Sequence, residues 1–434
     1  MVARTVLVEV TIDSVAAGGD GVGRLPDGRV VFVPLTAPGD RVRVRIEEDR
    51  KRYARGSIDT LIDEGTTRCL PRCPVFGTCG GCAWQHIRYE DQLEAKRRIL
   101  ADALTRLGGL ELPELPPIQP SPQPYHYRSR TRVLIRGGLV GYRRRRTHRI
   151  CAISSCPVLA PPVDALLSQV ADAPENWSAG EAGELASMRA REALGGTGDE
   201  EEWELSAGSQ GAGRSWRVRD AASDAPEMLR RGGADSESEE NLAKVTIRLA
   251  AYSLQISPGV FMQANALMWQ SLVDAVVAAA AGPGRRLVEL YSGAGFFTLA
   301  LSRCFSQLVA VESDSRAVAD LRVNLATAEA ANVRVAHASV EDTLAELQHD
   351  VDWKDADCVV LDPPRSGMAR GAVERLAALN AQRIVYLSCD PATLARDLRL
   401  LCEAIPAYRL TQVGAFDLFP QTPHVEGLVV LEQL

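Results

Sequence analysis

Long hydrophobic runs are absent from this sequence. The N-terminus, MVARTVLVEVTIDSV, has no continuous apolar segment of the kind found in signal peptides, and no later stretch approaches the roughly 20 apolar residues that a membrane-spanning helix needs. Secretion and membrane insertion are therefore both disfavoured, and we expect a cytoplasmic protein without a membrane partner. An apolar content of 46% over 434 residues suits a chain with several globular domains.

Cysteines distributed as separate pairs along the chain, as in disulfide-bonded secreted proteins, are also lacking. Four of the ten cysteines occur together in CLPRCPVFGTCGGC, residues 69–82. In the absence of an export signal, this clustering favours a reducing compartment and metal-binding or catalytic roles. Four thiolates could form a structural zinc site, or three of them could bind an iron-sulfur cluster with a fourth ligand elsewhere. The spacing alone leaves both open.

An overall positive charge is missing as well, since the net charge is −7, which would ordinarily argue against a nucleic-acid partner. Residues 171–240, however, hold 17 acidic and 7 basic residues, whereas the remainder holds 39 acidic and 42 basic ones. Much of this stretch is rich in Ala, Gly, Ser and Glu, which is typical of solvated, mobile insertions. Between the insertions, residues 203–220 have the pattern of a β-hairpin. The charge of the remainder is compatible with RNA binding.

Residues 1–64 alternate apolar and polar residues in short runs separated by turns, which predicts a small antiparallel β-barrel. A helix is predicted next, over residues 89–108. Residues 124–159 form a β-rich segment in which tyrosines alternate with basic residues. The arginines of this segment include Arg128, Arg130, Arg132, Arg136 and the run Arg143 to Arg146. Such a mixture suits phosphate contact and base stacking, or equally a solvated sheet face, and the spacing does not decide between them.

From about residue 259 onward, apolar runs of strand length alternate with helical segments. The strand-like runs are residues 285–290, 307–312, 332–338, 357–362, 383–389, 412–420 and 427–434. The alternation predicts an α/β fold with a doubly wound, mostly parallel sheet. Only QTPHVE separates the last two runs, too short for a helical crossover, so the last strand should run antiparallel. We divide the chain into domains at residues 1–64, 65–258 and 259–434.

Ligands of open α/β sheets bind beyond the carboxyl ends of the parallel strands. The first predicted strand delivers Glu289 there, followed by a glycine-rich turn at residues 291–296. The second delivers Glu312, 23 residues after Glu289, where an acid can bind both hydroxyls of a ribose. The fourth ends at Asp362, which begins a Pro-Pro turn. Together these features favour a nucleoside-containing cofactor.

Cys389 ends the fifth predicted strand at the same edge and is followed by Asp-Pro rather than by core residues. A thiolate at such a position can be reached by substrate and act as a nucleophile. Glu426 immediately precedes the antiparallel last strand, so the topology brings it to the same edge although it is 37 residues away. Together they would form a nucleophile and its carboxylate base. The alternatives are an inert surface Glu or a structural polar corner that includes His424.

Five motifs together resemble the bacterial RNA uracil-5 methyltransferases: SPGVFMQAN, ELYSGAGFFTLALS, VLDPPRSGM, IVYLSCDPATLARDL and FDLFPQTPHVEGLVVL. Residues 18–46 resemble the TRAM domain, an OB-like RNA-binding module. The resemblance implies a class I S-adenosyl-L-methionine-dependent methyltransferase, with a doubly wound seven-stranded sheet preceded by a TRAM β-barrel and a β-rich central domain. The barrel residues implied to contact phosphates are Arg41, Arg43, Arg45, Lys51, Arg52 and Arg55.

The resemblance also implies residue roles. Cys389 would be the nucleophile that adds to carbon 6 of uracil, and Glu426 the base that removes the proton from carbon 5. Gln263 would contact both the target base and the cofactor. The implied cofactor-binding residues are Gln263, Tyr291, Phe296, Glu312, Ser339 and Asp362. Of these, Phe296 and Ser339 stand where the family usually has Asn; Gln421 stands where it usually has His, and we expect no role for it.

For the cysteines, the family pattern C-x5-C-G-G-C matches Cys73, Cys79 and Cys82, and it implies Cys156 as the fourth ligand. The implied cofactor is a [4Fe-4S] cluster rather than zinc, with a structural role. The remaining cysteines of this region, Cys69 and Cys151, become bystanders.

Two other functions stay open. Amino-group methyltransferases also use an acid-Pro-Pro turn, although an aromatic residue rather than Arg365 normally follows the prolines, and a non-catalytic RNA-binding factor could share the fold. Family members that combine a TRAM domain with a cysteine cluster act mainly on large-subunit ribosomal RNA. We therefore expect 23S rRNA as substrate, with tRNA as the alternative. We further expect a monomer without a DNA partner.

Overall fold

The computed structural model describes residues 6–172, 201–209, 213–218, 244–282 and 284–433. Its N-terminal part is a closed barrel in the order β1-β2-β3-β5-β4. The strands are β1 (Leu7–Val15), β2 (Gly21–Arg24), β3 (Val30–Val33), β4 (Arg41–Asp49) and β5 (Tyr53–Asp63). Alternate residues such as Val42 and Val44 fill its core. The barrel confirms the prediction except that β3 and β5 are parallel, because an odd number of strands cannot close with every pair antiparallel.

A cysteine-containing loop leads from the barrel to helix α1 (Tyr89–Asp102), which continues as a π-helical turn (Ala103–Leu107). The buried stripe of α1 contains Gln92, Lys96 and Leu100, spaced four residues apart on one face. Leu100 and Leu104 join the main hydrophobic core beneath the C-terminal sheet. This helix, assigned from the sequence to the central domain, therefore packs as part of the catalytic body.

The central region is a five-stranded antiparallel sheet in the order β10-β9-β6-β7-β8, with helix α2 (Pro161–Asp172) packed against it. Its strands are β6 (Arg130–Arg136), β7 (Leu139–Arg143), β8 (Ile150–Ala152), β9 (Glu201–Ala207) and β10 (Gly213–Val218). Strands β9 and β10 pair antiparallel, so the predicted hairpin is confirmed. The two predicted insertions that flank it lie outside the described residues.

A short hairpin, β11 (Val245–Arg248) and β12 (Ser253–Ile256), precedes the C-terminal sheet of order β15-β14-β13-β16-β17-β19-β18. The strands of this sheet are β13 (Arg286–Leu290), β14 (Gln307–Glu312), β15 (Val333–His337), β16 (Cys358–Leu361), β17 (Arg383–Ser388), β18 (Tyr408–Phe416) and β19 (Glu426–Gln433). Strand β19 is antiparallel to both of its neighbours, as predicted. The reversal brings the start of β19 to the edge where the parallel strands end.

Helices cover both faces of this sheet, and each face has its own apolar core. They are α3 (Trp269–Ala280), α4 (Thr298–Leu301), α5 (Ser315–Thr327), α6 (Val340–Leu347), α7 (Arg370–Leu379) and α8 (Pro391–Ala404). Asp390 caps α8 by accepting hydrogen bonds from the backbone N–H groups of Ala392 and Thr393, which fixes the chain directly after Cys389. In the part of the chain that the structure describes, no helix is long and apolar enough to cross a bilayer.

Candidate active site

A cavity of about 730 Å3 opens at the carboxyl edge of the C-terminal sheet. Its lining includes Cys389, Glu426, Asp362 and Gln263, which come from four separate segments of the chain. Tyr291 and Glu312 line it as well, so six of the residues proposed from the sequence meet in one space. The residues converge because the parallel strands end at the edge of the sheet where the reversed strand β19 begins.

Cys389 is half-buried next to two carboxyl groups. Burial raises the pKa of its thiol to about 12, and the charges of Glu426 and Asp362 act in the same direction. The guanidinium of Arg365 opposes them by favouring the thiolate. Arg365 follows the Asp-Pro-Pro turn and lines the cavity, so the turn delivers the cation that faces the thiol.

The carboxyl groups of Asp362 and Glu426 are buried and act on each other. Burial raises the pKa of Asp362 to about 7, while a hydrogen bond of 3.0 Å from Nε2 of Gln263 stabilises its ionised form. Burial, and after it the charge of Asp362, raises the pKa of Glu426 well above its usual range, and Arg365 counters this. A carboxyl group so placed accepts a proton readily, which suits a general base.

Gln263 is held in place by its neighbours in the loop before α3. Its carbonyl accepts a hydrogen bond of 2.8 Å from Nε1 of Trp269, and the carbonyl of Val260 accepts one of 2.7 Å from Arg130. Between them, Phe261 is 66% exposed, although it lines the cavity. A large apolar side chain left open to solvent at a cavity mouth is suited to stacking on a base. Phe261 was not among the predicted site residues, although it lies inside the SPGVFMQAN motif.

The glycine-rich turn after β13 forms the floor of the site. Tyr291 and Gly293 both have positive φ angles, of 62° and 56°, and this sharp turn leaves the N–H of Gly293 to donate to Glu312 at 2.9 Å. The other carboxylate oxygen of Glu312 accepts hydrogen bonds from the N–H groups of Ser313 and Asp314. Glu312 is thus oriented by the backbone at the tip of β14.

A second cavity of about 790 Å3 shares Tyr291 and Glu312 with the first and extends past Ser339. The hydroxyl of Ser339 caps α6, accepting from the N–H of Asp342 at 3.1 Å. Phe296 differs from the other proposed cofactor residues because it lines neither of these two cavities. Its ring packs edge-to-face on Phe297, with centroids 5.0 Å apart, and against the apolar core of that face.

The opposite wall of the first cavity contains Cys73, Cys79, Cys82 and Cys156. Burial raises the pKa of Cys79 to about 11 and that of Cys156 to about 12, and neighbouring cysteines add to both shifts. The four thiols are therefore close enough to act on one another. As the described side chains stand, no three His, Cys, Asp or Glu are arranged to hold a metal ion.

Several arginines considered for RNA contact are paired within the protein. Arg130 forms an ion pair of 2.5 Å with Glu204, whose side chain is 1% exposed, and Arg132 approaches the same oxygen at 3.3 Å. In addition, the buried carboxylate of Asp20 in the barrel receives Arg145 at 3.0 Å and Arg146 at 2.7 Å. The Glu204 pairs join β6 to β9 within the sheet, and the Asp20 pairs attach the segment after β7 to the barrel, so part of the basic segment is structural.

Gln421, to which no role in the site was assigned, has a structural one. It is buried, has a positive φ angle of 68° and exchanges two hydrogen bonds of 3.0 Å with Gln92 of α1. Two residues earlier, Phe419 lines the first cavity, with its ring edge-to-face on His424 at 5.9 Å. The contact of Gln421 could not be predicted locally, because its partner Gln92 is 329 residues away.

Comparison with known families agrees with this architecture. Residues 237–434 match the model of the tRNA (uracil-5-)-methyltransferase family, and residues 1–58 match that of the TRAM domain. An uncharacterized RNA methyltransferase of Thermosynechococcus vestitus is 32% identical, over 98% of this chain and 97% of its own. The 23S rRNA (uracil(1939)-C(5))-methyltransferase RlmD of Aeromonas hydrophila is 31% identical, over 98% and 96%.

Among solved structures, the tRNA (uracil-54, C5)-methyltransferase of Pyrococcus abyssi, in complex with S-adenosyl-L-homocysteine, superposes with a TM-score of 0.70 at 25% identity. It covers 98% of this chain and 100% of its own. The fold and the edge-of-sheet site therefore define an S-adenosylmethionine-dependent methyltransferase with an N-terminal TRAM barrel. More particularly, the chain belongs to the RNA (uracil-5-)-methyltransferase family, enzymes that methylate carbon 5 of uracil in RNA.

Proposed function

We propose that this enzyme methylates its uridine through a covalent intermediate on Cys389. The supporting observation is that Cys389 and Glu426 line one cavity together with Asp362, Gln263 and Arg365. Carbon 5 of uracil is a weak nucleophile, so addition of the Cys389 thiolate to carbon 6 is needed to generate an enolate. Arg365, facing the thiol, favours the ionised sulfur that performs this addition.

The later steps need a base and a hydrogen-bond donor. S-adenosyl-L-methionine supplies the methyl group, which carbon 5 of the enolate takes up. Glu426 then removes the remaining proton from carbon 5, and the bond between Cys389 sulfur and carbon 6 breaks as the double bond re-forms. Gln263 would donate to a pyrimidine oxygen on which charge develops. A uridine within structured RNA must leave its stack to enter the cavity, where Phe261 and Phe419 provide aromatic surface.

For the cofactor we propose Gln263, Tyr291, Glu312 and Asp362 as binding residues, with Ser339 at the end of the second cavity. Glu312 has both carboxylate oxygens oriented by backbone N–H groups, which preorganises it to accept from ribose hydroxyls. We also propose that Phe296 contacts the cofactor. Because its ring packs into the core, the contact would be made by its backbone.

The cysteine wall is proposed to hold a [4Fe-4S] cluster through Cys73, Cys79, Cys82 and Cys156. Its donor set fits, because four cysteines without disulfides line the same cavity and thiolates are the usual ligands of such clusters. Cluster binding requires these side chains to turn toward a common point. Anaerobically purified protein should contain about four irons per chain; one zinc per chain and no iron would overturn the assignment.

The proposed substrate is 23S rRNA, which is supported by the named substrate of the Aeromonas relative and by the cysteine wall. A tRNA is the second candidate, supported by the Pyrococcus structure. Mapping 5-methyluridine in ribosomal RNA and tRNA from a deletion strain decides between them. We further propose that the enzyme acts in the cytoplasm as a monomer, with neither DNA nor membrane as a partner.

The chemistry is tested with two variants of the purified enzyme. Cys389→Ala should abolish methylation, and retained turnover would exclude the covalent route. Glu426→Gln should still transfer methyl but remain attached to the RNA, giving a slowly migrating band on a denaturing gel. RNA containing 5-fluorouridine should trap the unaltered enzyme, because fluorine cannot be removed as a proton; bound RNA without an adduct would favour a binding-only protein.

A further inference from the structure

The chain between β18 and β19, residues 417–425, is held by four segments that precede the C-terminal sheet. Four consecutive carbonyl groups of this connection, those of residues 418–421, each accept from a different segment. The donors are Asn265 at 3.3 Å, Lys96 at 3.0 Å, the Tyr127 hydroxyl at 3.0 Å, and the N–H groups of Ala83 and Trp84, both at 3.0 Å. A segment without regular secondary structure thus has its backbone fixed residue by residue.

Two side chains of α1 dominate this arrangement. Lys96 and Asp417 form an ion pair of 2.5 Å in which both side chains are 0% exposed, and Lys96 also donates to the carbonyl of Phe419. One helical turn earlier, the amide of Gln92 accepts from the N–H of Gln421 and donates to its side-chain oxygen, both at 3.0 Å. Buried polar groups are costly to leave unpaired, so these contacts favour one path for the connection, although Oδ2 of Asp417 has no hydrogen-bond partner among the described residues.

The path of the connection determines what reaches the active site. Its middle places the Phe419 ring in the cavity wall, and its end delivers Glu426, the first residue of β19. Phe416 and Glu426 are opposite each other in the pairing of β18 with β19, so the connection leaves the sheet and returns at nearly the same point. Cys389 lies between β17 and α8, outside this connection, and its backbone is fixed by the cap of α8.

We propose that Gln92 and Lys96 are positioning residues for Glu426, acting through the connection between β18 and β19. This inference rests on the proposed function of Glu426 as the base. Loss of either contact lets the connection shift, which slows removal of the carbon 5 proton more than the earlier addition of Cys389 and transfer of methyl. The methylated uridine then stays attached to Cys389 through its carbon 6, because sulfur cannot leave until that proton is gone.

The test uses the full-length enzyme with unmodified RNA substrate and S-adenosylmethionine. In one variant, Lys96→Met is combined with Asp417→Leu, which removes the ion pair without leaving a lone buried charge. A second variant, Gln92→Met, removes the amide contacts. The matched control is Arg98→Met on the same helix, because its side chain is 66% exposed and its ion pair with Glu94 lies on the helix surface. Folding is checked by circular dichroism, and adduct and 5-methyluridine are quantified separately.

Misplacement of a base by about 1 Å costs on the order of a hundredfold in rate, so we expect kcat to fall by about tenfold to a hundredfold in both variants. The fraction of enzyme found as a denaturation-resistant adduct should rise over the control, with the KM for S-adenosylmethionine unchanged. A fall in turnover without extra adduct in a folded variant would overturn the proposal. If Cys389→Ala still methylates RNA, the proposed covalent function itself fails. If Cys389→Ala is inactive but the α1 variants form no extra adduct, the positioning role alone fails.

Discussion

Replacing Glu204 with Gln should destabilise the β-rich sheet far more than a surface substitution does. Glu204 lies in β9 and its carboxylate is buried against Arg130, whose side chain is 12% exposed, at a distance of 2.5 Å. Removing one partner of a buried ion pair costs about 3–5 kcal/mol, because the other charge stays buried without compensation. Arg130 keeps its hydrogen bond to the carbonyl of Val260, so the lower end, about 3 kcal/mol, applies.

A loss of that size lowers the melting temperature by roughly 6–12 °C for a unit of 150–250 residues. Scanning calorimetry of the Glu204→Gln variant measures it directly. The matched control is Glu202→Gln on the same strand, since Glu202 is 41% exposed and lies 3.4 Å from Arg132. An exposed pair of this kind contributes at most about 1 kcal/mol. Equal melting temperatures for the two variants would refute the structural role of Arg130 and return it to the candidates for RNA contact.

Three further predictions follow from the buried charges and thiols. Burial raises the pKa of Glu289 to about 8, so its contribution to stability is present below its usual pKa and lost as pH rises to 8. Between pH 5 and 8 the unaltered protein should lose roughly 4 kcal/mol more unfolding free energy than the Glu289→Gln variant. Urea unfolding at both pH values measures this, and an equal loss in the two proteins would contradict it. Iodoacetamide at pH 8 should modify the exposed Cys304 long before Cys389, whose thiol has a pKa of about 12; peptide mass spectrometry showing the reverse order would be inconsistent. Asp20→Ala should lower the free energy of opening the barrel by about 2 kcal/mol, which raises the opened fraction roughly thirtyfold. Proteolysis after β5 should then be faster, and an unchanged rate of cleavage would contradict this prediction.

The regular elements could be predicted because their signals are local. The run at residues 307–312 is the observed β14, and the short separation of the last two strands correctly predicted the reversal of β19. The meeting of Cys389 with Glu426 also followed from topology, since strand direction alone decides which ends share an edge. The division into three domains stays a prediction, and the packing of α1 into the catalytic core shows how closely the parts are joined.

Contacts between remote segments could not be predicted in the same way. Glu204 lies in the segment predicted as a β-hairpin, but that pattern does not indicate that its place in β9 opposite Arg132 buries it among arginines. Similarly, Gln421 and its partner Gln92 are 329 residues apart. Composition and periodicity describe a segment by itself, whereas the partner of a buried polar group depends on how the elements pack.

The attachment of α1 to the connection before Glu426 has a consequence for how such an enzyme can diversify. A fragment beginning at residue 257 would retain every catalytic motif, but Asp417 would be buried without Lys96 and the apolar surface beneath Leu100 and Leu104 would be uncovered. The C-terminal part of this chain is therefore incomplete without α1. A shortened enzyme that keeps the site intact must therefore begin before α1, so that Lys96, Leu100 and Leu104 stay in place.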